Sequence, residues 1–235
     1  MVARGDLGVE LPPQTVPAIQ KRAIEVANGM GKLVITATQM LDSMTRSPRP
    51  TRAEVSDVAN AVFDGTDAVM LSGETASGLY PIESAKMMAD IVSEAEASAR
   101  FYRAAEQRSF IQEVPTFQNA AAAAAVHAAH DLGIDSIVAF TESGRSAELI
   151  SDYRPQGRVI AFSPHERTLR RMALYWGVWP QPIPRFESTD EMFDAVERLL
   201  LERKICSRGD AIILVAGVPP NRRESTNLVK LHRIE

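Results

Sequence analysis

Cysteine is almost absent from this sequence. The single Cys206 cannot form a disulfide within the chain, and this excludes the disulfide-rich class of small secreted domains. Charge of one sign is also lacking, because 26 basic and 30 acidic side chains leave a formal net charge of −4 at pH 7. A chain without an excess of positive charge lacks the field that attracts nucleic acids and anionic membranes. We therefore predict no nucleic-acid partner and no membrane partner.

Long hydrophobic runs are missing as well. The most monotonous stretch is the alanine run at residues 120–125, which is far shorter than the roughly 20 apolar residues that span a bilayer. The start of the chain has no uninterrupted apolar segment of the kind that a secretory signal needs. Charged side chains are scattered through it: Arg4, Asp6, Glu10, Lys21, Arg22 and Glu25. These absences predict a cytoplasmic protein.

Strand and helix signals alternate through the first part of the chain. Short apolar segments predict strands at residues 1–3, 33–36 and 68–71, and helical periodicity predicts helices at residues 17–28, at residues 52–63 and from Pro81 onward. Thr51, with Glu54 three residues later, matches a capping box at the start of the second helix. This alternation predicts a parallel βαβαβ arrangement.

Apolar residues recur at helical spacing in two of these helices, and in the third they predict the face that packs on the sheet. In the first helix they are Val16, Ile19, Ala23 and Val26, and in the third they are Ile82, Ala85, Met88, Ile91 and Val92. We interpret these positions as core and not as a cofactor site.

The second part of the chain predicts an α/β domain with its own sheet. Between the two parts, residues 99–116 lose the strand pattern and carry mixed charge, and this indicates a connector between a domain at residues 1–98 and one at residues 117–235. Strands are predicted at residues 136–140, 159–162, 211–216 and 228–232, and helices at residues 144–151, 165–174 and 189–202.

Polar residues follow the three predicted strands of the first domain. They read Arg4-Gly5-Asp6, then Thr36-Ala37-Thr38-Gln39, then Ser72-Gly73-Glu74-Thr75. Parallel strands end at one edge of a sheet, where α/β proteins bind ligands. Hydroxyls, backbone N–H groups and a carboxylate that holds Mg²⁺ are what a phosphoryl-transfer site needs. The alternative is that Thr38, Ser72 and Glu74 only cap helices.

Several long strings resemble the pyruvate kinase family. In the first domain they are MVARGDLGVE at residues 1–10, ATQML at 37–41, RPTRAE at 49–54, DVANAV at 57–62 and DGTDAVMLSGETA at 64–76. In the second domain they are SGRS at residues 143–146, YRP at 153–155, ALYWGV at 173–178 and AGVP at 216–219. The resemblance covers essentially the whole chain.

This resemblance implies a fold and an activity. The fold is α/β, a partial TIM (β/α)₈ barrel followed by a separate regulatory, allosteric α/β domain. The activity is phosphoryl transfer from phosphoenolpyruvate to ADP, giving pyruvate and ATP, with Mg²⁺ and K⁺. The family also implies a homo-oligomer, usually a tetramer, with Arg52 at the contact between neighbouring barrels.

The resemblance also implies roles for individual residues. Asp6 is expected to be a Mg²⁺ ligand, and the backbone of Gly5 and Asp6 is expected to lie against the substrate. Thr38 is expected to contact the substrate near its methylene carbon and to assist proton delivery to the enolate. Ser72 and Glu74 are expected to belong to a polar relay beneath that proton.

Five of the eight barrel strands have no counterpart in this sequence, which begins at what resembles the sixth. The family's catalytic lysine, its second Mg²⁺ carboxylate and its K⁺ ligands belong to the missing part. We therefore expect this polypeptide alone to be inactive. The alternative is a non-catalytic module, derived from pyruvate kinase, that binds a phosphometabolite or another subunit.

A second candidate site is the loop from Thr141 to Ser146. In the family this loop binds a sugar-phosphate activator, and here it offers Thr141, Ser143, Gly144, Arg145 and Ser146 to a sugar phosphate or AMP. Glu142 would repel an anion, while Arg222 and Arg223 would attract one. Plain helix capping by Ser143 is the alternative.

Overall fold

A computed structural model describes residues 1–98, 116–219 and 226–235 of the chain. The chain divides into two compact units, Met1–Ile111 and Gln112–Glu235. Most of the connector predicted at residues 99–116 lies outside the described residues. Its last residue, Thr116, caps the first helix of the second unit by accepting a hydrogen bond from the Asn119 amide.

The N-terminal unit contains a parallel three-stranded sheet in the order β1-β2-β3. The strands are short: β1 at Val2–Ala3, β2 at Ile35–Ala37 and β3 at Ala68–Met70. The predicted βαβαβ arrangement is confirmed, although the second strand begins two residues later than predicted. This is the partial barrel that the sequence predicted.

Five α-helices are described in this unit. They are α1 (Arg4–Glu10), α2 (Val16–Gly29), α3 (Arg52–Asp64), α4 (Gly73–Ala76) and α5 (Pro81–Ala97), with short 3₁₀ turns at Pro13–Thr15 and Asp42–Thr45. The predicted helix starts at residues 17, 52 and 81 are confirmed to within one residue. Caps and prolines signal these starts locally, which explains why the sequence predicts them well.

The predicted packing face of α5 is partly wrong, and α2 also exposes one of its regularly spaced apolar residues. In α5 the buried residues are Ser84, Met88, Ile91 and Ala95, whereas Ile82 is 65% exposed. In α2 they are Gln20 and Ile24, and Val26 is 43% exposed. Two residues along a helix correspond to about 200° of rotation, so an apolar residue two positions from a buried one faces the opposite side.

The C-terminal unit contains a five-stranded sheet in the order β6-β5-β4-β7-β8. Its strands are β4 (Ser136–Phe140), β5 (Arg158–Ser163), β6 (Val178–Pro182), β7 (Ala211–Gly217) and β8 (Thr226–Arg233). All neighbouring pairs are parallel except β7 and β8. Its helices are α6 (Phe117–Leu132), α7 (Arg145–Asp152), α8 (Glu166–Met172) and α9 (Thr189–Glu202).

Strand β6 was not predicted from the sequence. Its residues read VWPQP, and two prolines argue against an ordinary strand because proline has no N–H to donate to a neighbour. The sheet places β6 at an edge, where β5 is its only neighbour among the described strands. An edge strand tolerates proline wherever the missing donor would face away from the sheet.

Helices cover both faces of this sheet. On one face, Val138, Phe140, Ile160 and Phe162 pack with residues of α9 such as Leu200. On the other, strand residues including Ile137 and Val159 pack with Leu149 and Ile150 of α7 and with the alanines of α6, namely Ala122, Ala125 and Ala129. Alternation along each strand supplies the two faces, which confirms the predicted α/β domain. None of the described helices has the length and apolar character needed to cross a membrane.

Candidate functional site

The three strands of the N-terminal unit bring the predicted site residues to one edge. Ala3 lies opposite Ala37, and Ala37 lies opposite Met70. Because the strands are parallel, the residues that follow them emerge at the same edge of the sheet. Arg4, Thr38 and Ser72 therefore all belong to that edge.

The Thr38 hydroxyl joins the first two strand ends. The Gly5 amide donates a hydrogen bond to Thr38 Oγ1 at 2.8 Å, and Thr38 Oγ1 donates to the Ala37 carbonyl at 2.6 Å. A hydroxyl has one donor and two acceptor sites, so one lone pair of Thr38 Oγ1 is left. The structure thus brings together two of the predicted substrate-binding residues, although the Gly5 amide already has an acceptor.

The backbone at Thr38 and Gln39 is unusual. Their φ angles are +70° and +53°, a region that side-chain-bearing residues seldom adopt. Both carbonyls accept hydrogen bonds from the Arg4 guanidinium, at 2.8 Å for Thr38 and 3.1 Å for Gln39. These contacts of Arg4 had no signal in the sequence.

Glu74 lies beneath this edge and is only 2% exposed. Its Oε1 accepts from the Leu41 amide at 3.0 Å, and its Oε2 accepts from the Ser72 amide at 2.8 Å. The carboxylate therefore links the segments that follow β2 and β3. Ser72 stands at the N-cap of α4 but makes no side-chain capping bond, so the alternative of plain capping fails for Ser72.

Asp6 is an exposed residue in the first turn of α1. In the ranges that the structure describes, no hydrogen bond or ion pair engages its carboxylate. Nor do those ranges contain a group of three or more His, Cys, Asp or Glu side chains that could hold a metal ion. Mg²⁺ commonly binds through one or two carboxylates and completes its coordination with water and substrate phosphate. Asp6 fits Mg²⁺ as one such carboxylate ligand.

Glu54 also supports the segment that follows β2. Its carboxylate accepts from the Ser43 amide at 2.7 Å, from Ser43 Oγ at 2.6 Å and from the Thr51 amide at 2.7 Å. Burial raises the pKa of Glu54, but the hydrogen bonds from Ser43 and Thr51 together outweigh it and hold that pKa below its ordinary value. The predicted capping box with Thr51 is confirmed. The bonds to Ser43 had no signal in the sequence.

Arg52 is exposed at the first position of α3. This placement is compatible both with a contact to a neighbouring subunit and with a solvated side chain. Its assignment to a subunit interface stays a prediction.

The C-terminal unit has a cavity of about 60 Å³ beside the Thr141–Ser146 loop. Four of the five predicted effector residues line it, namely Thr141, Ser143, Arg145 and Ser146. Gly144 lies in the same loop with a φ of +87°, and its missing Cβ would approach Met172 at 3.3 Å. The loop therefore forms one wall of the cavity, and this backbone course favours glycine at position 144.

Internal contacts occupy several of these loop groups. Thr141 Oγ1 accepts from the Gly144 amide at 2.8 Å, and the hydroxyls of Ser146 and Thr226 lie 2.6 Å apart. Arg145 pairs with Glu148 at 3.0 Å. The Ser143 hydroxyl accepts a long, 3.4 Å hydrogen bond from the Arg145 amide, so capping by Ser143 is weak.

The Glu142 carboxylate has two partners within the unit. It lies 2.5 Å from His165 Nε2 and 3.5 Å from Arg185 Nη2. The repulsion of an anion that the sequence suggested is therefore reduced. Arg222 and Arg223 lie outside the described residues.

Two family models match the chain. The model described as "Pyruvate kinase, barrel domain" matches residues 1–85, and the one described as "Pyruvate kinase, alpha/beta domain" matches residues 119–232. Together they span both units.

Individual pyruvate kinases match over the whole chain. The enzyme of Staphylococcus haemolyticus is 49% identical over 234 residues, which is 100% of this chain and 40% of that protein. The enzyme of Staphylococcus saprophyticus is 48% identical with the same coverage. The chain thus spans about 40% of the length of these relatives.

A solved structure agrees with these matches. The crystal structure of a pyruvate kinase from Cryptosporidium parvum superimposes with a TM-score of 0.90 at 38% identity, covering 99% of this chain and 46% of that one. Fold, family models and relatives all point to the same family. The chain belongs to the pyruvate kinase family, a family of transferases.

Proposed function

We propose that this chain supplies part of the active site of a pyruvate kinase, which transfers a phosphoryl group from phosphoenolpyruvate to ADP and yields pyruvate and ATP. The observation that carries the proposal is the meeting of Gly5, Asp6 and Thr38 at one edge of the three-stranded sheet. The 49% identity to the S. haemolyticus enzyme supports the choice of reaction.

Asp6 is the proposed Mg²⁺ ligand of this chain. Its carboxylate is exposed, and a hard cation prefers such an oxygen ligand. When bound, Mg²⁺ neutralises charge on the transferring phosphoryl group. The backbone of Gly5 and Asp6 is the proposed contact to the substrate.

Thr38 is the proposed contact to the substrate's methylene end. Its hydroxyl donates a hydrogen bond to the Ala37 carbonyl, and rotation about the Cβ–Oγ1 bond would let it donate instead toward an enolate and so assist proton delivery from another donor. Ser72 and Glu74 are the proposed members of a polar relay beneath this proton. We propose no K⁺ ligand among the residues that the structure describes, and Arg52 is the proposed contact between barrels of a cytoplasmic tetramer.

Assays of pyruvate formation test this function. The purified chain and a second protein would be assayed with phosphoenolpyruvate, ADP, Mg²⁺ and K⁺, with folding checked by circular dichroism. The second protein, here called the segment-exchanged enzyme, is the S. haemolyticus pyruvate kinase in which the matching 40% is replaced by this chain. We expect turnover by the segment-exchanged enzyme and none by the chain alone.

Each outcome of these assays has a clear meaning. Turnover by the chain alone above that of a double variant, Asp6→Ala with Thr38→Ala, would overturn the expectation that other segments are indispensable. A folded but silent segment-exchanged enzyme would reject the catalytic proposal and favour the non-catalytic module.

A second proposed function is the binding of a sugar phosphate or AMP at the cavity of the C-terminal unit. The supporting observation is that Arg145 and Arg185 line this cavity with Ser143, while Glu142 is paired. A phosphate there would accept charge-assisted hydrogen bonds, which contribute about 1.5–3 kcal/mol each.

Calorimetric titration of the chain with inorganic phosphate, ribose 5-phosphate, fructose 1,6-bisphosphate and AMP tests this second function. We expect at least one ligand to bind, and Arg145→Met to weaken it by about tenfold or more. Arg170→Met is the matched control, because Arg170 is an exposed arginine of the same unit that pairs with Glu166 and lies outside the cavity lining. If no ligand gives heat above dilution, the effector proposal is wrong.

A further inference from the structure

The segment that follows β2 adopts a strained path. The segment from Thr38 to Ser43, here called the Thr38–Ser43 loop, begins with two residues at positive φ. Neither is glycine, and such conformations persist only where the surroundings enforce them. The groups that enforce this path therefore decide where the Thr38 hydroxyl lies.

Arg4 holds the start of this loop. Its Nε and Nη2 donate to the Thr38 carbonyl at 3.2 and 2.8 Å, and Nη2 also lies 3.1 Å from the Gln39 carbonyl and 2.8 Å from Met40 Sδ. The Arg4 side chain is only 11% exposed. A planar guanidinium can engage two successive carbonyls in a way that a single ammonium cannot.

Asp57 orients the Arg4 side chain. Its Oδ2 lies 2.5 Å from Arg4 Nη1, so the opposite edge of the guanidinium is free to face the loop. Arg4 belongs to α1 and Asp57 belongs to α3. Their ion pair connects a helix that precedes β2 in the chain with one that follows it.

Two carboxylates hold the rest of the loop by its amides. Glu74, from α4, accepts from the Leu41 amide, and Glu54, from α3, accepts from both the amide and the hydroxyl of Ser43. Leu41 is itself fully buried. Charged groups from three helices thus bind the loop at carbonyls 38 and 39 and at amides 41 and 43.

We propose that Arg4, Glu54 and Glu74 are positioning residues that together hold Thr38 at positive φ, with its hydroxyl against the Gly5 amide. None of the three has to touch the substrate to do this. The inference rests on the proposed function in one respect, which is that Thr38 contacts the substrate. It assigns Glu74 an action through the loop backbone, in place of direct participation in a proton relay.

The geometry indicates why the effect on the reaction should be large. The backbone conformation of Thr38 determines the position of its hydroxyl. A displacement of about 1 Å at a reacting group can lower the rate by about a hundredfold. Loss of Arg4, Glu54 or Glu74 would allow the backbone of the Thr38–Ser43 loop to relax, so that Thr38 returns to an ordinary negative φ. It would thereby withdraw Oγ1 from the Gly5 amide.

The conformational part is tested on the 235-residue chain itself by nuclear magnetic resonance. The intraresidue HN–Hα Overhauser effect is strong at positive φ and reports directly on Thr38 and Gln39. We expect it to be strong in the parent chain, lost in Arg4→Met and Glu74→Gln, and partly kept in Arg4→Lys, which retains the charge and one donor direction. Lys21→Met is the control, because it removes an ion pair with Asp64 of α3 without touching the loop.

The kinetic part uses the segment-exchanged enzyme with the same four substitutions. We expect Arg4→Met to lower kcat by about a hundredfold with a much smaller change in KM, and Lys21→Met to change neither. A purely stabilising role for Arg4 would lower the melting temperature and leave kcat per folded molecule unchanged. The milder Arg4→Lys variant keeps the comparison available if Arg4→Met does not fold.

The resonance and kinetic measurements distinguish the ways in which the proposal could be wrong. A weak Overhauser effect at Thr38 in the parent chain, or a strong one that persists in Arg4→Met and Glu74→Gln, would overturn the claim that these residues hold Thr38 at positive φ. A lost effect with unchanged kcat would overturn its role in positioning for the reaction. If the parent segment-exchanged enzyme is inactive, the proposed function fails, while the resonance measurements still decide the conformational claim.

Discussion

Replacing Asp6 by Ala in the segment-exchanged enzyme is expected to lower kcat/KM by about 10²–10³-fold. This is the usual scale of loss when one group that stabilises developing charge is removed. Asp6 is the proposed Mg²⁺ ligand of this chain, and water would have to replace its oxygen in the metal coordination. We expect the Mg²⁺ concentration needed for half-maximal rate to rise in parallel.

Glu10→Ala is the matched control for this substitution. Glu10 is an exposed carboxylate on the same helix, at its C-terminal end, and its removal changes the net charge by the same amount. We expect its kcat/KM to equal that of the parent enzyme. Equal losses for Asp6→Ala and Glu10→Ala would mean that only general electrostatics is involved, and the metal assignment would be wrong.

The second large effect concerns the core of the C-terminal unit. Phe162→Ala is expected to lower the free energy of unfolding of that unit by about 3–5 kcal/mol, the range for removing a buried aromatic ring. Phe162 lies on β5 and is 1% exposed, and its ring centroid lies 6.0 Å from that of Phe140. The cavity left behind would adjoin the proposed effector site, because Phe162 also lines it.

Denaturant unfolding followed by tryptophan fluorescence measures this loss. Both tryptophans of the chain, Trp176 and Trp179, lie in the C-terminal unit, so the signal reports on that unit. Phe117→Ala is the control, since Phe117 is 86% exposed and substitutions at such sites change stability by no more than about 0.5 kcal/mol. Similar unfolding curves for the two variants would contradict the core assignment.

Features that depend on residues close together in the sequence could be predicted, and features that depend on contacts between distant residues could not. Helix starts at residues 52 and 81 were predictable, because a capping box and a proline signal them within a few positions. The face of α5 was not, because its periodicity allowed both Ile82 and Met88 as core positions. Contact with α3 and the rest of the unit selected Met88, Ile91 and Ala95.

The same division applies to the candidate site. Gly5 and Thr38 could be predicted as neighbours, because parallel strands place their ends at one edge. The contacts of Arg4 could not be predicted, since they reach carbonyls 34 and 35 residues away. Nothing in the local sequence indicates that Thr38 has positive φ.

The sequence by itself determined the alternation of strands and helices, the position of most elements and the family to which the chain belongs. These properties depend on local periodicity, on caps and on strings of residues that can be read directly. Only the tertiary structure decided that β6 is an edge strand despite its prolines, that Glu142 pairs with His165 and Arg185, and that three charged side chains bind the Thr38–Ser43 loop. These features depend on residues distant in sequence meeting in space, where hydrogen bonding and burial select one arrangement from the many that the local pattern allows.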